Sequence, residues 1–184
     1  ILLPARPASG HKGTFGHLLL IAGSTGKSGA AALAAEGGLR SGCGLATLAC
    51  PAHLNPVFET KLTEVMTVPL PEVDGMVSMQ AIADIEALWQ DKSVVAIGPG
   101  LGTGEEIGGL VRKLVRDCPL PMVIDTDGLN ALAGHLEVLQ ERQAPTVLTP
   151  HPGEMSRLIG CSVAEIEADR INIARQFAGD HGVI

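Results

Sequence analysis

The chain contains no tyrosine, one tryptophan and three phenylalanines among its 184 residues. Its core must therefore be aliphatic, and an apolar fraction of 46 % supplies the side chains for it. The 23 glycines are spread along the chain and not massed in one tract, which reads as a globular protein and not a disordered one. The length is enough for one domain with a sizeable core. Positive charge is also scarce. Thirteen Lys and Arg stand against 20 Asp and Glu, a net charge of −7, and nothing forms a basic stripe. General nucleic-acid binding and binding to anionic membranes are excluded on that ground. An anionic ligand can still bind where helix dipoles and lysines converge. Cysteine is limited to Cys43, Cys50, Cys118 and Cys161, with no Cys-x-x-Cys pair. That spacing argues against zinc or redox chemistry and for buried, reduced thiols in a cytoplasmic protein. No apolar stretch approaches the ~18 residues of a membrane span, and no signal-peptide pattern opens the chain.

Both ends read as cut. Residue 1 is Ile, and the two prolines of "LLPARPASGH" read as an entry segment or the end of an interdomain linker over residues 1–10. At the other end "HGVI" reads as a strand just beginning, so more chain is expected beyond it. Residues 11–184 are taken as the N-terminal two-thirds of a single domain.

Within it, short apolar runs alternate with helical patterns. The expected strands are "LLLIA" (18–22), "LATLA" (45–49), "VMTV" (65–68), "VVAI" (94–97), "MVI" (122–124) and "TVLT" (146–149). Being apolar almost throughout, they suit strands buried on both faces. Ile107, Leu110, Val111 and Leu114 fall at helical spacing, with Thr103 and Glu106 placed to form a capping box. Ile82, Ile85 and Trp89 mark an earlier helix. Ser162 and Glu165 open a later one that buries Ile166, Ile173 and Phe177. "AAALAAEGGL" is a helix of small residues suited to close packing on a sheet. The alternation predicts an α/β fold, a mostly parallel central sheet with helices on both faces.

In such sheets ligands bind at the carboxyl ends of the strands. Four strand exits carry unusual residues and should share that edge. The first, "AGSTGKSGAA", ends in Gly-Lys-Ser, but Ile21 occupies the position where a Walker A loop needs its first glycine. Gly23, Ser24, Gly26 and Lys27 remain a candidate anion loop, since glycines admit a ligand to the backbone and a helix N-terminus follows. The simpler reading is a tight turn with an exposed lysine. The second, Gly98-Pro99-Gly100-Leu101-Gly102, misses the dinucleotide fingerprint because Thr103 stands where the third glycine belongs. The third carries Asp125, Asp127 and Asn130. A carboxylate ending an apolar strand must be paired, hydrogen-bonded or near a metal, and magnesium held partly through water suits it. A helix cap is the simpler role for either aspartate. The fourth, Thr149-Pro150-His151-Pro152-Gly153-Glu154, frames a histidine between two prolines beside a glutamate, with no second histidine to make a zinc motif.

Taken in order, "HKGTFGHLLLIAGSTGKSGAAALAA", "LRSGCGL", "AIGPGLGT", "VIDTDGLNALA" and "VLTPHPGEMSRL" closely resemble the ADP/ATP-dependent NAD(P)H-hydrate dehydratases, which have a ribokinase-like fold. The resemblance covers residues 11–160. It implies repair of the S epimer of hydrated NADH or NADPH: ATP or ADP, with Mg2+, phosphorylates the ring hydroxyl, and loss of phosphate restores the cofactor. It further implies that Ala30, Ala31, Gly100, Gly102, His151, Pro152, Gly153 and Glu154 line the hydrate site, and that Glu154 and Asp125 also organise magnesium and water. Lys12 of "HKG" belongs to a family motif without an assigned role. The expected catalytic base, an aspartate in a GxGD segment, does not occur in these residues, so residues 1–184 alone are expected to be inactive. An epimerase domain ahead of residue 1 and a homo-oligomeric state, a tetramer, complete the expectation. Two alternatives stand beside it: a ribokinase-like kinase of a vitamin-precursor alcohol, which keeps the phosphate on its product, and a non-catalytic nucleotide-binding module.

Overall fold

The structure, a computed structural model, describes residues 6–184, so half of the expected entry segment, residues 1–5, lies outside the described residues. Every expected strand forms. They are β1 (His17–Ile21), β2 (Leu45–Pro51), β3 (Met66–Leu70) and, beyond a small hairpin of β4 (Glu72–Val73) and β5 (Met76–Val77), β6 (Val94–Ile97), β7 (Met122–Ile124) and β8 (Thr146–Leu148). The six long strands make one parallel sheet in the order β3-β2-β1-β6-β7-β8, with Leu19 of β1 level with Thr47 and Val95 of its two neighbours. The chain leaves β1 toward β2 and β3, then returns to β6 on the other side. The strand order therefore reverses between β1 and β6, where a parallel sheet opens a crevice. At the far edge Ile184 donates its N–H to Thr146 and accepts from Leu148, both at 2.9 Å, so the strand expected at "GVI" makes its first pairing.

Two apolar layers sandwich the sheet. Leu20, Leu48 and Cys50 face α1 (Ser28–Ser41) and α2 (Asn55–Lys61), where Ala31, Ala35 and Phe58 bury completely. Leu19, Ile21, Val95, Ile97 and Ile124 face the other way. That layer is covered by α3 (Ile82–Leu88), α4 (Glu105–Asp117), α5 (Asp127–Leu132), α6 (Glu137–Gln140), α7 (Pro152–Ile159), α8 (Val163–Ala168) and α9 (Arg170–His181). Alternate residues of β1 thus serve opposite layers, as the two-residue strand period requires. The small residues of α1 bring it close to the sheet: a Cβ on Gly38 would sit 2.5 Å from Leu18 Cδ2. Ile107, Leu110, Val111 and Leu114 are all buried along one side of α4, each contributing roughly 1.5–3 kcal/mol of apolar burial. Among the described residues no helix is long and apolar enough to cross a membrane.

Three local expectations are corrected, and one element was not foreseen. The Thr103–Glu106 capping box does not form. The N-cap of α4 is Gly104 at φ +129, with no side-chain cap, and Glu106 instead accepts from the Met79 N–H at 3.4 Å. The preceding loop bends to give the Gly102 N–H to Asp127, and this leaves Thr103 outside the cap position. The late helix does open on the expected Ser162–Glu165 capping box, but it breaks at Asp169 into α8 and α9, and Ile173 is only half-buried. All four cysteines are free, yet only Cys50 and Cys118 are buried. Burial pushes the Cys50 thiol up to about 12 and raises that of Cys118 as well. The β4–β5 hairpin was not anticipated, although "VDGM" carries its signal: Asp74 and Gly75 both take positive φ, as a two-residue hairpin turn demands.

The exits of β6 and β7 meet backbone to backbone. A Cβ on Gly98, which has φ +130, would lie 1.8 Å from the Asp125 carbonyl oxygen. Gly37, exposed in α1, has nothing within 4 Å. Gly98→Ala should cost about 2–4 kcal/mol of stability, while Gly37→Ala should add about 0.5–1 kcal/mol, read by urea denaturation.

Candidate functional site

Because β1, β6, β7 and β8 are adjacent and parallel, their four exit loops share one edge, at the point where the strand order reverses. Direct hydrogen bonds tie the loops together. The Gly23 N–H donates to Pro99 O at 3.0 Å, and the buried Ser24 hydroxyl donates to Gly100 O at 2.7 Å. Lys27 Nζ lies 2.9 Å from Asp127 Oδ2, which also accepts from the Gly102 N–H at 2.9 Å. Asn130 Nδ2 reaches Asp127 Oδ1 at 3.5 Å, and Asn130 Oδ1 accepts from Arg157 Nε at 2.7 Å. One polar chain therefore runs from the glycine-rich loop through α5 to α7.

At the first loop the helix mouth is open. Lys27 is the N-cap of α1 and makes no side-chain cap, so the first amides of a fourteen-residue helix keep their donors free. Cβ atoms on Gly26 and Gly29 would meet nothing within 4 Å. That combination of free amides, dipole and space suits an anionic group. Asp127 takes one donor of the Lys27 ammonium, which is 46 % exposed, so the amides stand beside a partly neutralised lysine as donors. The two alanines separate. Ala30 is exposed and faces Gly100, whose Cβ would lie 3.4 Å from it, whereas Ala31 is fully buried and packs beneath Gly23.

The fourth loop is rigid for a local reason. His151 is the N-cap of α7: its Nδ1 accepts from the Gly153 and Glu154 amides at 3.0 and 3.3 Å. Glu154 completes a capping box by accepting from the His151 N–H at 2.9 Å. With Nδ1 an acceptor, the ring proton sits on Nε2, 3.2 Å from Glu154 Oε1. The imidazole is 62 % exposed and the glutamate side chain 5 %, so the ring of His151 is open to solvent while Glu154 fixes its backbone from below. Pro152 and Gly153 form the half-buried first turn between them.

In the third loop Asp125 Oδ1 accepts from the Thr149 hydroxyl at 2.7 Å, and no hydrogen bond to Oδ2 occurs among the described residues. The next residue, Thr126, has φ +44 and ψ −111 and buries a hydroxyl that has no partner. Among the described residues no three His, Cys, Asp or Glu side chains could cage a metal. The second oxygen of Asp125 is one open anionic donor, enough only for an ion that keeps most of its water. Two hollows flank the loops. One, of about 220 Å³, lies among Gly102, Gly104, Arg112, Asp127 and Asn130. The other, of about 290 Å³, has Leu20, Ala96 and Val123 as its floor and Asp125 and Thr149 at its rim.

Lys12 is not brought to this edge. Its short 3-10 turn packs against Gly44, where a Cβ would lie 1.6 Å from Lys12 O, at the amino ends of β1 and β2. Sequence reasoning missed Arg157, Thr149 and Thr126, whose roles come from partners more than twenty residues away or from backbone strain. It also missed His53 and Glu72, beside the first loop. The Asp74-Gly75 turn was the one signal that could have led to them.

The family model described as NAD(P)H-hydrate dehydratase matches residues 18–184. Over 177 residues, 96 % of this chain, the sequence is 44 % identical to the bifunctional NAD(P)H-hydrate repair enzyme of Moorella thermoacetica, and over 181 residues 38 % identical to that of Escherichia coli. The chain spans about a third of the length of these curated relatives, 33 % and 32 %. Among solved structures it superposes on the ADP/ATP-dependent NAD(P)H-hydrate dehydratase from Bacillus subtilis, co-crystallized with ATP/Mg2+, with a TM-score of 0.75 and 31 % identity, covering 98 % of this chain and 60 % of that one. A ribokinase-like superfamily protein from Enterococcus faecalis gives the same TM-score and coverage at 21 % identity, a likeness of fold. The fold is thus ribokinase-like.

Thr126 sits where a turn normally places glycine: the Gly128 N–H closes onto Asp125 O at 2.9 Å across it. Thr126→Gly should raise stability by about 1 kcal/mol in thermal or urea unfolding, because strain and a buried unpaired hydroxyl both disappear. A loss of stability would show that the threonine side chain packs favourably.

Proposed function

The chain belongs to the NAD(P)H-hydrate dehydratase family, and from that premise we propose that it forms the hydrate-binding part of an ADP- or ATP-dependent dehydratase. The substrate proposed is the S epimer of hydrated NADH or NADPH. The supporting observation is the convergence of four exit loops on the crevice between β1 and β6, with an uncapped helix mouth and an exposed, oriented histidine.

Hydroxide is a poor leaving group and phosphate a good one, so dehydration becomes feasible once the ring hydroxyl is phosphorylated. Bound ATP or ADP with magnesium would supply the phosphoryl group and offset its charge. The chain's own residues bind and orient. Ala30, which is exposed, faces the nicotinamide end, and Ala31 supports that surface from within; Gly100 and Gly102 are buried against Lys27 and Met76, so they shape the second loop and do not open space for the ring. The amides of Ser28 to Ala30 receive an anionic group of the hydrate. His151, with its Nδ1 held by the Gly153 and Glu154 amides and its ring exposed, contacts the hydrate beside Pro152 and Gly153. Asp125 would hold magnesium through its water, while Glu154 serves through the His151 cap. Asp127 and Asn130 hold the loops in place. The base that acts on the hydroxyl is assigned to a GxGD segment, which these 184 residues do not contain.

We place the protein in the cytoplasm and propose a homo-oligomer, a tetramer, with Leu33 and Ile171, 73 % and 66 % exposed, as candidate contact residues. A kinase of a vitamin-precursor alcohol would use the same crevice but leave phosphate on its product.

A longer protein that joins residues 1–184 to a GxGD-bearing segment should restore NADH absorbance from the hydrate in the presence of ATP or ADP, and residues 1–184 alone should not. Stable phosphorylation of a vitamin alcohol without NADH recovery would instead establish the kinase. Lys27→Ala should weaken hydrate binding a few-fold and leave ATP binding unchanged, since its charge is shared with Asp127. Titration calorimetry with each ligand checks this, and loss of ATP affinity alone would mark a P-loop lysine.

A further inference from the structure

Thr25 lies at the exposed centre of the glycine-rich loop, between Gly23 and Gly26, both at positive φ. A Cβ on Gly26 would meet nothing, so side-chain packing does not fix this part of the loop. Polar ties do. On one side stands the Lys27–Asp127 pair. On the other, the Thr25 N–H donates to Gly75 O at 2.9 Å, and Thr25 Oγ1 lies 3.0 Å from His53 Nε2. His53 is held in turn by Glu72, whose Oε2 accepts from both Nδ1 and the backbone N–H of the histidine. A carboxylate can only accept, so Nδ1 carries the proton and Nε2 of the neutral ring takes the threonine hydroxyl. The His53 hydrogen bond holds the Glu72 carboxyl below its ordinary value, in keeping with an ionised partner at neutral pH.

The hairpin that carries Glu72 and Gly75 also reaches the second exit loop. Met76 covers Gly102 so closely that a Cβ there would lie 2.4 Å from its sulfur. We propose that His53 and Glu72 are positioning residues for substrate: through Thr25 they clamp the glycine-rich loop to the β4–β5 hairpin and so fix the first amides of α1 where the hydrate binds. This rests on the reading that the crevice binds hydrated nicotinamide nucleotide. Neither residue touches substrate. Their effect passes through Thr25 to the two residues that lead into α1, and the hairpin couples the first loop to the Gly98–Gly102 loop.

The test uses the 184-residue chain and the variants Thr25→Val, Thr25→Ser and His53→Ala. Amide hydrogen exchange at Thr25 and Lys27, whose N–H groups are hydrogen-bonded to Gly75 O and Ser24 O, and calorimetric affinity for hydrated NADH are measured for each. Thr25→Val and His53→Ala should speed exchange at these amides, and weaken the hydrate affinity, by about tenfold, the scale of one hydrogen bond. Thr25→Ser should retain both, because it keeps the hydroxyl. Unchanged exchange in Thr25→Val and His53→Ala, or a Thr25→Ser variant as impaired as Thr25→Val, overturns the clamp. Faster exchange with unaltered hydrate affinity overturns its role in positioning for substrate. If the unsubstituted chain binds no hydrate, the functional reading fails, and the exchange data alone still decide whether the clamp exists.

Discussion

The structure depends on backbone meeting backbone at the strand exits. Gly98 at the end of β6 and Gly128 in the first turn of α5 face each other with no room for a side chain: a Cβ on Gly98 would strike the Asp125 carbonyl, and one on Gly128 would lie 2.9 Å from that of Ile97. Gly100 stands in the same relation to Lys27 O, 2.8 Å from where its Cβ would be. These approaches let three connections from three neighbouring strands interlock and leave a shallow crevice instead of a filled core. They also bring the first amides of α1, Asp125 and Asp127 to one edge of the sheet. A sheet whose exits carried ordinary side chains would push the loops apart.

Around this backbone junction the polar side chains serve mainly to hold loops. Asp127 gathers Lys27, the Gly102 amide and Asn130, and Asn130 passes the link to Arg157. His151 and Glu154 cap a helix with each other. Few of these groups are left over for a ligand, and the leftovers are informative: the open amides of α1, the second oxygen of Asp125 and the exposed edge of His151. Thr126, strained and with an unpartnered hydroxyl, lies between Asp125 and Asp127. Strain retained at such a place is the pattern expected where loop geometry is held for binding and stability is sacrificed to it.

The strands were legible because each is a short aliphatic run buried on both faces, and their alternation with helices dictates a parallel sheet. From that alone the four exits could be assigned to one edge, and the structure puts them there. What escaped was set by distance. His53 and Glu72 are nineteen positions apart and Arg157 is twenty-seven from Asn130, so no local pattern announces either pair. The Thr103–Glu106 box had correct spacing but lost to a tertiary hydrogen bond, since Asp127 draws the Gly102 amide and shifts the helix start. Ala31 matched the family motif yet turns inward, because α1 must present one small face to Phe58 and the sheet. Lys12 lies at the opposite edge, where Gly44 admits its backbone.

The central claim is that one crevice, bounded by these four exits, receives the hydrated nicotinamide nucleotide. Backbone amide NMR shifts of the 184-residue chain, followed during titration with the S epimer of hydrated NADH, test it most directly. Perturbations concentrated in residues 23–31, 98–104 and 149–154, with little change near Lys12 or along α9, are the predicted result. Saturable shifts centred elsewhere on the molecule, with those three segments unmoved, would contradict it.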